Sequence, residues 1–255
     1  MRKAIHKSFR TEVAIKFIMK TKLTEKEFEF TRNEISIMSV CQNENIVQVF
    51  EVLENEEFLY IIMERLNGGD LYEYLKKNKN VITEERVRII FYSVLLAINY
   101  IHSFGIVHRD IKLNNILLVE DSLHSKVKLI DFGFAKIITP NEVCNEPIGT
   151  LLYASPELLL KQNYGFSVDI WNLGICLFFM LSGDFPFKSN KNNDSELIEL
   201  IKNKPPEFID NHWEKISSEA KDLVLKMLEK DPLKRIPIKE IFTHKWLLLD
   251  TNKKI

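Results

Sequence analysis

Residues Ile106 to Gly133 read I-V-H-R-D-I-K-L-N-N-I-L-L and, after a polar turn, K-V-K-L-I-D-F-G. Two short apolar runs, Ile116–Val119 and Val127–Ile130, suit strands. A hairpin between them brings Asp110, Asn115 and Asp131 to one end. Two carboxylates and a carboxamide beside Lys112 make the oxygen-rich set that a hard cation carrying phosphates needs, since Mg²⁺ takes oxygen ligands. Asp110 is then left to receive a proton from an attacking hydroxyl. The plain alternative is a solvated loop in which the acids meet by chance.

A chain of 255 residues, 45% of them hydrophobic, suits one large domain or two lobes with a sizeable core. The formal net charge of −1 gives no general attraction to nucleic acid or an acidic membrane, and neither is expected as a partner. Cys41, Cys144 and Cys176 are scattered and not at metal spacings, so a reduced, intracellular protein is expected. A cytoplasmic setting fits best, with the nucleus also open to it. No signal peptide is read at the start. The most apolar run, Ile170 to Leu181, is too short to cross a bilayer and reads as a buried helix. A monomer is expected.

His108 to Asn115, as H-R-D-x-x-x-x-N, and Asp131 to Gly133, as D-F-G, resemble the catalytic loop and metal-binding turn of eukaryotic protein kinases. D-F-G alone would be weak, but both motifs in order with a strand between them are specific. The resemblance covers essentially the whole chain. It implies an α+β, bilobal fold with a small antiparallel β-sheet N-lobe (1–63), a hinge (64–70) and a mainly helical C-lobe (71–255).

Glu12 to Met19 reads E-V-A-I-K-F-I-M, a β-rich run with Lys16 in its middle. A cation inside an apolar strand is costly unless paired. The candidate partner is Glu34, on a segment from Glu25 to Val40 with helical spacing at Phe28, Ile35 and Met38. V-A-I-K resembles the kinase strand whose Lys holds the α- and β-phosphates, and Glu34 matches the helix acid that anchors it. Ala14 would lie against adenine. The bland readings are a snorkelling edge lysine and a solvated helix face. Kinases of this type carry a G-x-G-x-x-G turn just upstream, yet no glycine precedes Gly68. The resemblance therefore implies that the first strand and its glycine turn are missing, with Met1 falling where the second strand begins. Either the sequence is a fragment or has a mispredicted start, which is the favoured expectation, or the protein works without that cover; the chain as given is expected to be weakly active or inactive.

The runs I-V-Q-V-F-E-V-L and F-L-Y-I-I-M, within Asn45 to Glu64, complete the small sheet. Arg65 to Asp70, R-L-N-G-G-D, has linker composition. By the resemblance, backbone near Glu64 and Leu66 bonds adenine, Met63 limits the pocket behind it, and Leu117 also contacts the nucleotide. Asp70 would touch the ribose or a basic substrate residue; as part of a plain turn it needs no function.

Leu71 to Lys77 and Glu84 to Phe104 read as helices. The irregular segment after Gly133, with Pro140, Pro147 and Gly149, is long enough to be functional inside a compact domain. It resembles an activation segment closed by Gly149-Thr150-Leu151-Leu152-Tyr153 and by Ser155-Pro156-Glu157, a variant of A-P-E. The resemblance implies that Thr150 bonds Asp110 and Lys112. Leu151 and Leu152 would shape an apolar pocket for the substrate residue after the acceptor. Glu146 stands where many kinases carry a phosphothreonine paired with the Arg of H-R-D. A carboxylate brings one charge where phosphate brings nearly two, so Glu146 either pairs with Arg109 unmodified or stays solvated. Asp169, heading D-I-W-N-L-G, should tie to backbone around His108 and Arg109, and Arg235 should pair with Glu157.

Lys112 in this loop argues for Ser/Thr acceptors. The Gly-Gly-Asp linker and L-S-G-D-F-P-F look most like the calcium/calmodulin-dependent kinase group, although Leu113 and Asn114 replace its usual Pro and Glu. Calcium or calmodulin dependence is not visible. The implied reaction moves the γ-phosphate of ATP to protein substrates. Mg²⁺ would sit on Asp131 and Asn115, Lys16 on the phosphates, Asp110 on the acceptor proton and Lys112 on the transferred charge. A nucleotide-binding pseudokinase or scaffold acting through a partner is the alternative. A small-molecule kinase is disfavoured by the peptide-docking character of Gly149 to Glu157.

Overall fold

The computed structural model describes residues 1–248 except 8–9, 79–81, 123, 140–141, 147, 190–192 and 210. Pro140 and Pro147 lie outside the described residues. Four strands, β1 (Arg2–Ile5), β2 (Glu12–Met19), β3 (Val49–Glu54) and β4 (Phe58–Glu64), form an antiparallel sheet in the order β1-β2-β4-β3. The β2–β4 register sets Ala14 opposite Met63 and Lys16 opposite Ile61. Because side chains alternate along a strand, Ala14, Lys16, Ile61 and Met63 share one face.

Helix α1 (Glu25–Val40) opens on a capping box. The Thr24 hydroxyl accepts from the Glu27 N–H at 3.3 Å, and the Glu27 carboxylate accepts from the Thr24 N–H at 2.8 Å. Its buried face carries Glu34, Ile37 and Met38. Phe28 and Ile35, expected on the core stripe, are only half-buried.

The run from Ile46 to Leu53 is not one strand. Strand β3 starts at Val49, and the chain before it crosses to the other lobe. There Val47 N–H donates to the Leu129 carbonyl at 3.0 Å, and Leu129 N–H to Asn45 at 2.8 Å. An irregularity between Val49 and Glu51 marks the break.

The second lobe is helical: α2 (Leu71–Lys77), α3 (Glu84–Ser103), α4 (Pro156–Leu159), α5 (Ser167–Ser182), α6 (Asp194–Asn203), α7 (Ser218–Met227), α8 (Ile238–Phe242) and α9 (Lys245–Leu248). Two small antiparallel pairs interrupt it, β5 (Ile106–Val107) with β8 (Lys136–Ile137) and β6 (Ile116–Leu118) with β7 (Val127–Leu129). Helix α5 is buried from Val168 to Ser182 and packs on α3 and α7, so the most apolar run is a core helix. At Gly174 a Cβ would lie 2.8 Å from a Leu228 methyl, which fixes how closely the chain after α7 approaches α5. Among the described residues no helix is long and apolar enough to cross a membrane.

The linker is stitched to β6. Asn67 N–H donates to Val119 at 2.9 Å, Gly68 N–H to Leu118 at 3.1 Å, and Leu118 N–H to Gly69 at 2.9 Å. A Cβ at Gly68 would overlap the Glu120 carbonyl and the Leu118 side chain, so the close approach requires glycine.

The loop before α4 is locked from beneath by Arg235. Its guanidinium donates to both Glu157 oxygens, at 2.7 and 2.9 Å, with both side chains fully buried. It also donates to the Ser167 and Glu229 carbonyls. Arg235→Ala would strand the Glu157 carboxylate in the core and should cost about 3–5 kcal/mol, read as a lower urea midpoint.

Candidate active site

The catalytic-loop backbone is shaped by a single buried acid. Asp169, fully buried on α5, accepts from His108 N–H and Arg109 N–H at 2.9 Å each and from the His102 ring at 2.8 Å. Burial pushes this carboxyl up, but the His102 bond and charge, His108 and its N–H bring it below the ordinary carboxylate range. Arg109 sits at φ +68°, a left-handed conformation that costs a non-glycine residue about 1–2 kcal/mol. The His108 ring packs at 5.0 Å from Phe132 and accepts from Asp110 N–H at 3.3 Å. Complete burial pushes the His108 imidazole below its ordinary range.

The turn this creates presents Asp110. One carboxylate oxygen accepts from Lys112 Nζ at 2.7 Å and Asn115 Nδ2 at 3.1 Å; the other accepts from the Thr150 hydroxyl at 3.2 Å. Lys112 also donates to Thr150, at 3.1 Å. The structure therefore brings Asp110, Lys112, Asn115 and Thr150 together, as the sequence predicts. Leu151 packs half-buried on the core, while Leu152 is exposed.

Between the sheet and the β6–β7 hairpin lies a cavity of about 260 Å³. Its walls include Ala14, Lys16, Glu34, Met63, Glu64, Leu66, Leu117 and Asp131, all singled out in the sequence. Lys16 Nζ donates to both Glu34 oxygens, at 2.8 and 2.9 Å. Burial raises the Glu34 carboxyl above its ordinary range, Lys16 pulls it back, and Asp131 adds to the rise. Met38, Val47 and Ile130 line the cavity too and were not foreseen. Met38 was findable, lying one helical turn beyond Glu34 on the same face, and Ile130 directly precedes the D-F-G turn. Val47 was hidden by the reading of its run as a plain strand.

Asp70 does not line this cavity. Its carboxylate caps α2, accepting from Glu73 N–H at 3.0 Å, with Asn114 Nδ2 at 3.5 Å. The capping use was within reach of the sequence, because Asp before a helical run is a preferred cap.

The residues present fit a magnesium ion bound with phosphates. Asn115 spends Nδ2 on Asp110, donating to its carbonyl at 2.9 Å and its carboxylate, so its Oδ1 stays available as a ligand. Asp131 is exposed, at φ +64°, with one oxygen accepting from Gly133 N–H at 3.2 Å. Among the described residues no cluster of three or more His, Cys, Asp or Glu side chains could hold a metal alone. Few protein ligands, with phosphates completing the shell, is the usual Mg²⁺ arrangement.

The Glu146 carboxylate accepts from Arg109 at 3.0 Å and Lys136 at 3.4 Å, while Tyr164 donates to the Glu146 carbonyl at 2.7 Å. Arg109 in turn donates through Nε to Phe134 at 2.6 Å. One cluster thus ties the catalytic loop to the start and the middle of the activation segment.

This fold and this cleft define a class, that of the protein kinases, and the chain belongs to the protein kinase domain family, which matches residues 1–247. It is similar to a probable myosin light chain kinase of Dictyostelium discoideum, 39% identical over 234 residues, or 92% of this chain and 48% of the relative. It is also similar to SNF-related serine/threonine-protein kinase of Homo sapiens, 36% identical over 237 residues, covering 92% of this chain and 30% of the relative. The chain thus spans about half or less of the length of these relatives.

Partial burial raises the Glu146 carboxyl, but backbone N–H groups, Arg109 and Lys136 bring it net below the ordinary range. A depressed carboxylate stabilises the fold above its unfolded pKa and loses that contribution as pH falls through the folded value. The stability advantage of the wild type over Glu146→Gln, from urea unfolding, should be present at about pH 7 and shrink below about pH 4.

Proposed function

We propose that this chain is the catalytic domain of a serine/threonine protein kinase, moving the γ-phosphate of ATP to Ser or Thr hydroxyls of protein substrates. The observation that carries this reading is the presence of two bonded sets. Lys16 and Glu34 pair beside Asp131, and Asp110 is held between Lys112, Asn115 and Thr150.

Adenine occupies the apolar part of the cavity beside Ala14, Met63 and Leu117, its polar edge meeting backbone from Glu64 to Leu66. Lys16, fixed by Glu34, holds the α- and β-phosphates. Asp131 and Asn115 supply oxygens for Mg²⁺, which when bound offsets phosphate charge. Asp110 orients the incoming hydroxyl and accepts its proton, and Lys112 stabilises charge on the transferred group. Relatives named as Ser/Thr kinases, together with Lys112, support Ser/Thr over Tyr acceptors. A preference for basic substrate residues would rest on the Asp70 oxygen not used in capping, since Asn114 beside it carries no charge. Glu146 gives the activation segment an anionic anchor without phosphorylation.

Asp110→Asn should lower kcat about 10²–10⁴-fold with little change in the KM for ATP, in steady-state phosphorylation of a Ser/Thr peptide. Glu146→Ala should also lower activity; unchanged kinetics would remove the anchoring role. Nucleotide binding without transfer to any peptide of a Ser/Thr library would point instead to a regulatory nucleotide-binding module.

A further inference from the structure

Two polar side chains beneath the Gly149–Tyr153 turn have capacity that the site described above does not use. Ser155 stands directly before α4, where a serine ordinarily caps the helix, yet its side chain makes no capping bond. The residue is 1% exposed and its hydroxyl has no hydrogen-bond partner among the described residues. Asn172, on α5 and 6% exposed, donates through Nδ2 to the Tyr153 carbonyl at 2.6 Å, while its Oδ1 has no partner among the described residues. Buried oxygens left unpaired are costly. Both residues line a small cavity of about 10 Å³, whose walls also include Asp110, Gly149 and Thr150. That is about the space of one water, which needs at least two polar partners to reside there.

We infer that a single buried water bridges Ser155 Oγ and Asn172 Oδ1, making these two side chains positioning residues for the acceptor turn. The hydroxyl donates to the water, and the water donates to the carboxamide oxygen. Asn172 holds Tyr153, whose N–H donates to the Thr150 carbonyl at 2.9 Å, and the Thr150 hydroxyl bonds Asp110. Rigid α5 thereby sets the height of Thr150 over the catalytic carboxylate. The effect on catalysis rests on the kinase reading above; the water itself does not.

Ser155→Ala removes one oxygen and adds no volume. High-resolution crystal structures of wild type and variant, with peptide and ATP kinetics for both, test the idea. Wild-type density should hold a water within hydrogen-bond reach of both oxygens, and the variant should lose or displace it. The peptide KM should rise about fivefold, the scale of one neutral hydrogen bond, with the ATP KM unchanged. Well-ordered wild-type density without that water overturns the bridge. A water present with the variant's peptide KM within about twofold of wild type overturns the positioning role. A wild type that phosphorylates no peptide counts against the kinase reading instead, and the density still decides whether the bridge exists.

Discussion

The structure depends on one buried carboxylate being satisfied. Asp169 lies at the centre of the helical lobe, where an ionised acid is tolerated only if it is fully hydrogen-bonded. Its partners are the backbone N–H groups of His108 and Arg109 and the His102 ring. Those bonds hold Arg109 in a conformation that a non-glycine residue otherwise avoids. From that bend everything downstream takes its direction. The Arg109 guanidinium turns to Phe134 and Glu146, and the Asp110 carboxylate turns to Lys112, Asn115 and Thr150. The strain is local, while the restraint comes from a helix buried from Val168 to Ser182.

The two lobes contribute charge in complementary ways. The sheet delivers a cation, Lys16, and α1 delivers the acid that fixes it, Glu34. The C-lobe delivers Asp131, whose negative charge works against ionised Glu34. Of the three carboxylates lining the cavity, Glu64 is paired with Lys128, which leaves Lys16 beside both Glu34 and Asp131, so further positive charge would be welcome there. Polyphosphate accompanied by a divalent cation meets both needs: its anionic oxygens engage Lys16 while the cation relieves Asp131. Under the proposed reading, the arrangement would bind the pair better than either part alone.

Much of this was legible in the residues, for reasons that differ from place to place. Lys16 sits alone in an apolar strand, so it has to find a carboxylate, and among Glu25, Glu27, Glu29 and Glu34 on the helical segment it is the resemblance that singles out Glu34. Glu12 to Met19 and Leu71 to Lys77 have the bounds that their local patterns indicate, because alternation and capping are short-range signals. The fate of Ile46 and Val47 was not legible. Their β-rich composition is correct, but their bonding partner is Leu129, more than eighty residues away. By the resemblance Asp70 touches the ribose or a basic substrate residue; one of its oxygens also caps the following helix, a use that its place before a helical run indicates. On α1, Met38 is buried as its spacing indicates, while Phe28 and Ile35 are only half-buried and Ile37 takes the core position instead.

The Asn67–Gly69 stitching to β6 bears on how the cleft can open. A free linker would let the lobes swing about any of its bonds. Here three backbone hydrogen bonds make the segment from Asn67 onward part of the lower body, and the contact at Gly68 leaves no slack for sliding. Along the linker, hinge rotation falls on the two residues ahead of it, Arg65 and Leu66, just after β4 ends, while the Asn45 and Val47 bonds to Leu129 form a second tie that must bend with it. The fulcrum therefore coincides with the rim of the cavity itself, and each degree of opening is felt first where the adenine edge would rest.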